Sequence, residues 1–250
     1  MSNPIKTRAV VDSLKAHGEG VYTINLKPEG RVPRFKPGQF LHLSVDEYDP
    51  SGGFWPDSRV FSIASAPGKE TVSIVYSVKG IYTRKMEERL KAGSRVWLKL
   101  PFGDFIIKSS VHEGQSIVLV AGGTGISPFI PYLEGICQDG GLSERKVFLY
   151  YGVRTESNVL FPELLARCVS KLDQFIANLW IENQCPEVLS KIGVKPRAGH
   201  LSIDAIYWEC NGLRDPVYFL SGPPAMISNF RVQLAEKGVS SDNVKSDEWE

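Results

Sequence analysis

The sequence predicts a two-domain fold, an antiparallel β-barrel followed by an α/β domain built on a parallel sheet. Two observations carry this prediction. Short β-rich runs recur through the first hundred residues, and strands alternate with helices after them. The polar stretch Lys108–Gln115 between the two patterns is interpreted as the linker, so we predict domains at residues 1–108 and 109–250. A chain of 250 residues is long enough to bury two such cores.

Five runs rich in β-branched and aromatic residues predict the strands of the first domain. Turn clusters such as Lys27-Pro28-Glu29-Gly30 separate these runs. Strands of this length and spacing favour a closed barrel, into which one helix is inserted at Arg84–Leu90. The predicted strands are Val21–Leu26, Gln39–Val45, Val60–Ala64, Thr71–Val78 and Arg95–Leu100.

Apolar runs alternate with amphipathic segments through the second half of the chain. This alternation indicates a parallel sheet that helices cover on both faces. The predicted strands are Ile117–Ala121, Val147–Tyr151, Ile176–Ile181 and Pro216–Leu220. The predicted helices are Ser127–Cys137, Phe161–Cys168, Ile203–Trp208 and Pro224–Lys237.

The composition argues against several classes of protein. No apolar run approaches the roughly 20 residues that a membrane-spanning helix needs, so no membrane insertion is expected. The first residues lack the apolar core of a signal peptide, and we expect a cytoplasmic protein. The cysteines are scattered without a Cys-x-x-Cys pair, which predicts reduced thiols and no metal centre. They are Cys137, Cys168, Cys185 and Cys210.

The net charge of +1 conceals an asymmetry between the two halves. Residues 1–108 hold 17 Lys and Arg against 11 Asp and Glu, a balance of +6, whereas residues 109–250 hold 12 against 17, a balance of −5. A basic first half suggests an anionic cofactor, an acidic partner, or both. No basic run with interleaved aromatic residues is present, so nucleic-acid binding is not expected.

A glycine-rich turn follows the first predicted strand of the second domain. Ala121–Phe129 reads Ala-Gly-Gly-Thr-Gly-Ile-Ser-Pro-Phe. Gly122, Gly123 and Gly125 allow the backbone to bend tightly and to bring N–H groups close to an anion. The Ser-Pro pair that follows suits the first turn of a helix, whose positive dipole end attracts anions. The segment therefore predicts a phosphate-binding turn.

Six motifs follow one another in the order found in the ferredoxin–NADP⁺ reductase superfamily, which the chain resembles over essentially its whole length. They are Arg59-Val60-Phe61-Ser62, Gly80-Ile81-Tyr82-Thr83, Pro101-Phe102-Gly103, Gly122–Pro128, Tyr151-Gly152-Val153-Arg154 and Ser221-Gly222-Pro223-Pro224. The resemblance implies a flavin-binding β-barrel at residues 1–108 and an α/β domain for a nicotinamide nucleotide at residues 109–250.

The resemblance implies that Arg59 pairs with a phosphate of the flavin, a contact that a planar guanidinium makes well. Val60 and Phe61 continue the strand that would lie against the cofactor. Phe61 replaces the family's usual Tyr and lacks its hydroxyl. Ser62 would place its hydroxyl near flavin N5.

The second motif implies FAD in preference to FMN, because in the family it opens a helix beneath the pyrophosphate. Gly80, Tyr82 and Thr83 are the candidate cofactor-binding residues there, and the Thr83 hydroxyl can cap the helix. Tyr76, on the preceding strand, is a candidate for the adenine side.

The resemblance assigns the pyrophosphate of the nicotinamide dinucleotide to the glycine-rich turn. In Ser221-Gly222-Pro223-Pro224, a serine replaces the cysteine that the family usually places near nicotinamide C4. The residues assigned to this dinucleotide are Gly122, Gly123, Thr124, Gly125, Ser221, Gly222, Pro223 and Met226.

The choice between NADH and NADPH depends on two positions that act in opposite directions. Glu182-Asn183 stands where plant-type relatives grip the 2′-phosphate with a Ser-Arg pair. A carboxylate repels that phosphate but accepts hydrogen bonds from a free ribose diol. Arg154 would attract the phosphate by charge. We predict that NADH is favoured.

The last residues include an aromatic side chain in the region where many relatives stack one on the flavin. Trp249 fits this role, and Glu248 would influence proton supply or flavin redox balance. The predicted catalytic residues are Ser62, Ser221, Glu248 and Trp249.

Together these inferences predict an FAD-dependent NAD(P)H oxidoreductase that passes electrons to a separate carrier, because the sequence offers no ligands for an iron–sulfur cluster. The basic first half favours an acidic carrier such as ferredoxin or flavodoxin. The candidate contacts are Arg31, Arg34, Lys36, Lys85, Arg89 and Lys91. Two alternatives stay open: a reductase subunit that feeds a dedicated oxygenase or reductase partner, and a catalytically silent flavoprotein that binds a partner or senses redox state.

Overall fold

The computed structural model describes residues 3–18, 20–138, 145–183, 192–194 and 196–247. The chain divides into two compact units, residues 1–106 and 107–250, each built around its own sheet. This boundary lies two residues before the one that the polar stretch predicts. The assignment of one cofactor to each unit stays a prediction.

The first unit is an antiparallel barrel, as predicted, with its six strands in the order β4-β3-β6-β1-β2-β5. Its elements are β1 Ile5–Ala16, β2 Val21–Pro28, β3 Phe40–Ser44, β4 Arg59–Ser62, β5 Val72–Ser77, the helix α1 Ile81–Arg89 and β6 Arg95–Phe102. The chain just after β4 joins β5 through an antiparallel bridge between Ile63 and Ile74. The Ala64 N–H also donates to the carbonyl of Ser73 at 2.7 Å. These contacts bring the two edge strands together and close the sheet.

Strand β1 was not predicted from the sequence, although it pairs with both β2 and β6. The reason is a β-bulge between Val11 and Ser13, where the pairing with β2 shifts by one residue. Ala9 and Val11 are buried before the bulge, and Leu14 packs against the same core after it. A bulge changes which residues of a strand face inward. The period-two alternation that indicates a strand is therefore interrupted here.

Helix α1 contributes to the barrel core and begins three residues before the predicted start at Arg84. Tyr82 and Met86, one turn apart, are buried in the core. Gly80 is the cap residue, and Thr83 stands at the third helical position. Its hydroxyl accepts hydrogen bonds from the backbone N–H groups of Lys79 at 2.9 Å and Gly80 at 3.1 Å. Thr83 therefore stabilises the helix start from within the first turn.

The second unit is an α/β domain, as predicted, on a parallel six-stranded sheet of order β10-β9-β8-β7-β11-β12. Its strands are β7 Ile117–Gly122, β8 Val147–Val153, β9 Phe175–Ile181, β10 Arg197–Ala198, β11 Val217–Ser221 and β12 Val244–Ser246. Its helices are α2 Ile130–Gln138, α3 Pro162–Lys171, α4 Ile203–Cys210 and α5 Pro224–Glu236. Short 3-10 segments lie at Ile107–Ser109, Gly123–Phe129, Glu156–Asn158 and Ser241–Asn243.

The strand order positions the candidate site. From β7 the chain moves outward through β8, β9 and β10, and it then returns to the other side of β7 to add β11 and β12. In open α/β sheets, ligands bind beyond the carboxyl ends of the strands at the point where the order reverses. Here that point lies between β7 and β11, whose register pairs Ala121 with Ser221.

Two features are absent from the described ranges. No helix there is both long enough and apolar enough to cross a membrane. No three His, Cys, Asp or Glu side chains there converge in a way that could hold a metal ion. Cys137, Cys168 and Cys210 are free thiols.

Candidate functional site

Two glycine turns pack against each other at the carboxyl ends of β7 and β11. A Cβ atom added at Gly125 would overlap the carbonyl of Ser221 and lie 2.6 Å from the Cα of Gly222. One added at Gly122 would lie 2.9 Å from both Pro223 Cδ and Met226 Sδ. Two motifs almost a hundred residues apart in the sequence therefore form one structure, and only glycine permits backbones to approach this closely.

The outer side of the first turn is open. Gly123 has φ +56°, in the left-handed region, and a Cβ added there would meet no atom within 4 Å. The turn continues as the 3-10 segment Gly123–Phe129, in which the Ser127 hydroxyl donates to the carbonyl of Thr124 at 2.7 Å. The α-helix starts at Ile130, three residues after the predicted start, because this tighter segment precedes it. A helix start with open space in front can bind an anion.

A buried polar pair lies at the end of β11. The Ser221 hydroxyl donates to Asp247 Oδ2 at 3.1 Å, and both residues are buried. The backbone N–H of Asp247 donates to the carbonyl of Leu220 at 2.9 Å. Asp247 was not predicted as a site residue. The acidic character of this segment led to the prediction of its neighbour Glu248 instead. Glu248 and Trp249, the residues predicted there, lie outside the described residues.

The ends of β8 and β9 bring the two predicted specificity residues to one edge of the sheet. The backbone N–H of Glu182 donates to the carbonyl of Val153 at 3.0 Å, and that of Asn183 donates to the carbonyl of Arg154 at 2.8 Å. The Glu182 carboxylate also lies 2.9 Å from Nδ1 of His200, an exposed side chain that follows β10. His200 was not predicted, because only the pairing of β10 with β9 brings it here.

In the first unit, Arg59 is held by the two residues that precede its strand and by α1. Its Nη1 donates to Asp57 Oδ1 and to the carbonyl of Ser58, both at 2.7 Å. Its guanidinium lies over the ring of Tyr82, 4.7 Å from the centroid. Both hydrogen bonds use Nη1, so the Nε–Nη2 edge is not engaged by them. That edge has the geometry for bidentate binding of a phosphate.

Tyr82 is buried, and its hydroxyl forms hydrogen bonds with the backbone of the barrel. The hydroxyl donates to the carbonyl of Leu43 at 2.9 Å and accepts from the N–H of Val45 at 3.2 Å. Burial raises the pKa of the Tyr82 phenol above its ordinary value. The contact of its ring with Arg59 points to a role in positioning that guanidinium.

Phe61 and Tyr76 meet inside the barrel, with ring centroids 6.3 Å apart in an edge-on arrangement. Burial raises the pKa of the Tyr76 phenol, and its hydroxyl is buried without a hydrogen-bond partner among the described residues. A buried hydroxyl without a hydrogen-bond partner is rare in folded proteins. Of the other predicted residues on β4, Ser62 is buried and Val60 is half-buried.

Known proteins resemble the chain both in sequence and in structure. Residues 119–231 match the family model described as the oxidoreductase NAD-binding domain. The anthranilate 1,2-dioxygenase electron transfer component of Acinetobacter baylyi is 24% identical over 98% of this chain. The toluate 1,2-dioxygenase electron transfer component of Pseudomonas putida is 25% identical over 94% of it.

Solved structures match the whole fold. A ferredoxin NADP⁺ reductase from Neisseria gonorrhoeae superposes with a TM-score of 0.74, 17% identity and 99% coverage of both chains. An Amycolatopsis cytochrome P450 reductase, GcoB, superposes with a TM-score of 0.78 and 22% identity, covering 98% of this chain and 70% of that one. Residues 119–231 therefore resemble an oxidoreductase NAD-binding domain, and the chain shares the fold of these reductases.

The chain spans only part of the length of the curated relatives that it matches. It spans 67% of the length of the Acinetobacter protein and 65% of the Pseudomonas protein. A terephthalate 1,2-dioxygenase reductase component from Comamonas, 24% identical over 88% of this chain, is covered over 61% of its length. For this chain, the activity and partners of those whole proteins are therefore proposals.

Two positions differ from the usual form of the motifs that the sequence resembles. Phe61 packs against Tyr76 in the barrel core. Ser221 holds the buried Asp247 with its hydroxyl. A thiol is the weaker hydrogen-bond donor, so the serine suits a carboxylate partner better than a cysteine would.

Proposed function

We propose that this chain is an FAD-dependent NAD(P)H oxidoreductase, which takes hydride from a nicotinamide nucleotide and passes electrons on to a separate acceptor. The observation that carries the proposal is the pair of interlocked glycine turns where the strand order of the parallel sheet reverses. The oxidoreductase NAD-binding family model covers the first turn and reaches beyond the second. The reductase and electron-transfer relatives support the same reaction class.

The residues of the first unit fit an FAD. Arg59 presents an edge suited to a phosphate, and a Cβ added at Gly80 would meet nothing within 4 Å, which leaves the start of α1 accessible. The buried hydroxyl of Tyr76 needs a partner that the described residues do not supply. A bound FAD supplies the chemistry: it accepts a hydride and releases electrons singly.

The chain's own residues would bind and orient the nicotinamide nucleotide and the flavin. We infer that Gly123 and Thr124 offer backbone N–H groups to the dinucleotide's pyrophosphate at the open turn. Ser221, fixed by Asp247, would set the position of the nicotinamide ring. Ser62, on the strand that carries Arg59, would hold the flavin edge. Each of these roles would orient one bound reactant, and orientation alone lowers reaction barriers substantially.

For the electron acceptor, we propose an acidic carrier protein or an oxygenase component. The dioxygenase electron transfer components among the relatives support the second possibility. Among the predicted docking cations, Lys85 and Arg89 both bind Asp46, at 2.7 and 3.2 Å, which neutralises part of their charge. The other predicted cations are Arg31, Arg34, Lys36 and Lys91, and all four are exposed. These four are the stronger candidates for meeting an acidic surface.

The decisive experiment is anaerobic mixing of the purified, FAD-loaded chain with NADH in a stopped-flow spectrometer. We expect the protein to be yellow and the flavin absorbance to bleach in a single turnover. A colourless protein that takes up no FAD would overturn the proposal. A flavin that stays oxidised in excess NADH and NADPH would support the silent flavoprotein instead.

We further propose that NADH is preferred over NADPH because of Glu182. Replacing Glu182 with Gln removes a charge that would repel the 2′-phosphate beside Arg154. We expect kcat/KM for NADPH to rise about tenfold, roughly the effect of one close charge pair. We expect kcat/KM for NADH to fall several-fold, because the amide is a weaker acceptor for the ribose diol. Steady-state kinetics with both nucleotides measure the ratio.

The matched control is Glu163→Gln, which removes another exposed acid, from the start of α3. It should leave the ratio of the two kcat/KM values unchanged. If the ratio of kcat/KM for NADPH to kcat/KM for NADH were the same in Glu182→Gln and in the native chain, this carboxylate would not select the nucleotide.

A further inference from the structure

A pair of thiols lies away from the candidate site, where α2 packs against α3. Cys137 is the penultimate residue of α2, and Cys168 lies in the second half of α3. Their Sγ atoms are 2.8 Å apart, although the residues are separated by 31 positions in the sequence. The tertiary structure therefore brings together two thiols whose spacing in the sequence does not predict that they meet.

A shared metal ion does not explain this pair. Two thiolates on one zinc ion, each at about 2.3 Å in tetrahedral geometry, lie about 3.7 Å apart. The two sulfurs are closer than this. Across the described part of the chain, no third His, Cys, Asp or Glu joins them to make a metal site. The geometry suits a direct bond between the sulfurs.

The two thiols differ in their surroundings. Cys168 is fully buried, and its Sγ also lies 3.9 Å from the carbonyl of Leu133 on α2. Burial and the contact with Cys137 raise the pKa of the Cys168 thiol, so it stays protonated. Cys137 is only half-buried. A small oxidant therefore reaches Cys137 first, and Cys168 is positioned to react with the product.

We propose that Cys137 and Cys168 form a reversible disulfide that joins α2 to α3, with hydrogen peroxide as the oxidant. In the first step the Cys137 thiolate attacks peroxide: an S–O bond forms, the O–O bond breaks and hydroxide leaves. In the second step the Cys168 sulfur attacks the resulting sulfenic acid: the S–S bond forms, the S–O bond breaks, and water leaves with the Cys168 proton. Dithiothreitol returns both thiols.

This bond would act on the nucleotide turn through α2. The helix begins directly after the 3-10 segment Gly123–Phe129 and ends beside Cys137. A cross-link at its far end fixes the helix against α3 and shortens the chain that is free in the unfolded state. We expect the melting temperature to rise by about 5 °C or more in the oxidised protein.

The test uses the full chain treated with a small excess of hydrogen peroxide, then alkylated and digested with trypsin. Trypsin cleavage leaves each cysteine in a different peptide. Cys137 lies in the peptide of residues 109–145, and Cys168 lies in the peptide of residues 168–171. We expect an intact mass about 2 Da lower, these two peptides linked, and both changes reversed by dithiothreitol. Recovery of the two peptides unlinked, with Cys137 as sulfinic or sulfonic acid, would overturn the proposal. Linkage of either peptide to another cysteine would do the same.

Matched serine variants test whether the mass change and the rise in melting temperature come from this pair or from another thiol. Cys137→Ser, at the half-buried position, should lose the mass change and the rise in melting temperature. Cys210→Ser removes a buried thiol that contacts Tyr150 and should keep both. A melting temperature that is the same for the linked and reduced forms would contradict the claim that the bond constrains α2. None of these readouts depends on bound FAD.

Discussion

Replacing Gly125 with Ala is expected to abolish nucleotide binding at working concentrations and to destabilise the second unit by about 2–3 kcal/mol. The new Cβ would overlap the Ser221 carbonyl and lie 2.6 Å from the Gly222 Cα. Both are backbone atoms, so no side chain can rotate away, and the two turns must separate. The dissociation constant for NADH, measured by titration, should rise at least about tenfold, equivalent to about 1.4 kcal/mol.

The matched control is Gly135→Ala, which makes the same chemical change in α2. A Cβ there meets nothing within 4 Å, and alanine favours a helix interior over glycine by up to about 1 kcal/mol. We expect this variant to bind NADH normally and to resist urea slightly better than the native chain. If the two variants bound NADH equally well, the contact between the turns would have no role in holding the nucleotide.

Replacing Arg59 with Ala is expected to raise the dissociation constant of FAD about 30- to 150-fold. Loss of a charge-assisted contact to phosphate costs about 2–3 kcal/mol. The barrel should remain folded, because Arg59 is half exposed and the hydroxyl of Tyr82 is anchored independently on the backbone of β3. Flavin release during dialysis, followed by absorbance, measures the effect. Circular dichroism verifies that the fold is intact.

Two further variants test whether geometry or charge matters at this position. Arg59→Lys keeps the charge but loses the planar fork, so FAD affinity should fall between those of the native chain and Arg59→Ala. Arg95→Ala removes an exposed cation from the start of β6 and should leave FAD bound. Equal retention of FAD by Arg59→Ala and Arg95→Ala would remove Arg59 from the cofactor site.

Much of the fold was predictable, because its signals lie within short stretches of chain. The alternation on β2 through β6 and the succession of strands and helices after residue 116 are local patterns. They predicted five strands of the barrel and four of the six strands of the parallel sheet, and they missed the short strands β10 and β12. The order of the six motifs predicted the family. The start of α2 was placed three residues early, because the 3-10 segment from Gly123 to Phe129 resembles a helix start in sequence. Strand β1 was missed because its bulge interrupts the alternation.

The sequence by itself determined the two-domain architecture, the residue types of the glycine turns and the resemblance to known reductases, since each depends on neighbours along the chain. Only the tertiary structure decided which distant residues meet. Ser221 and Asp247 are 26 positions apart, and Cys137 and Cys168 are 31 positions apart. Such pairs depend on strand order and helix packing, and periodicity contains no information about either. For the same reason the partner of Glu182 became apparent only when β10 aligned beside β9.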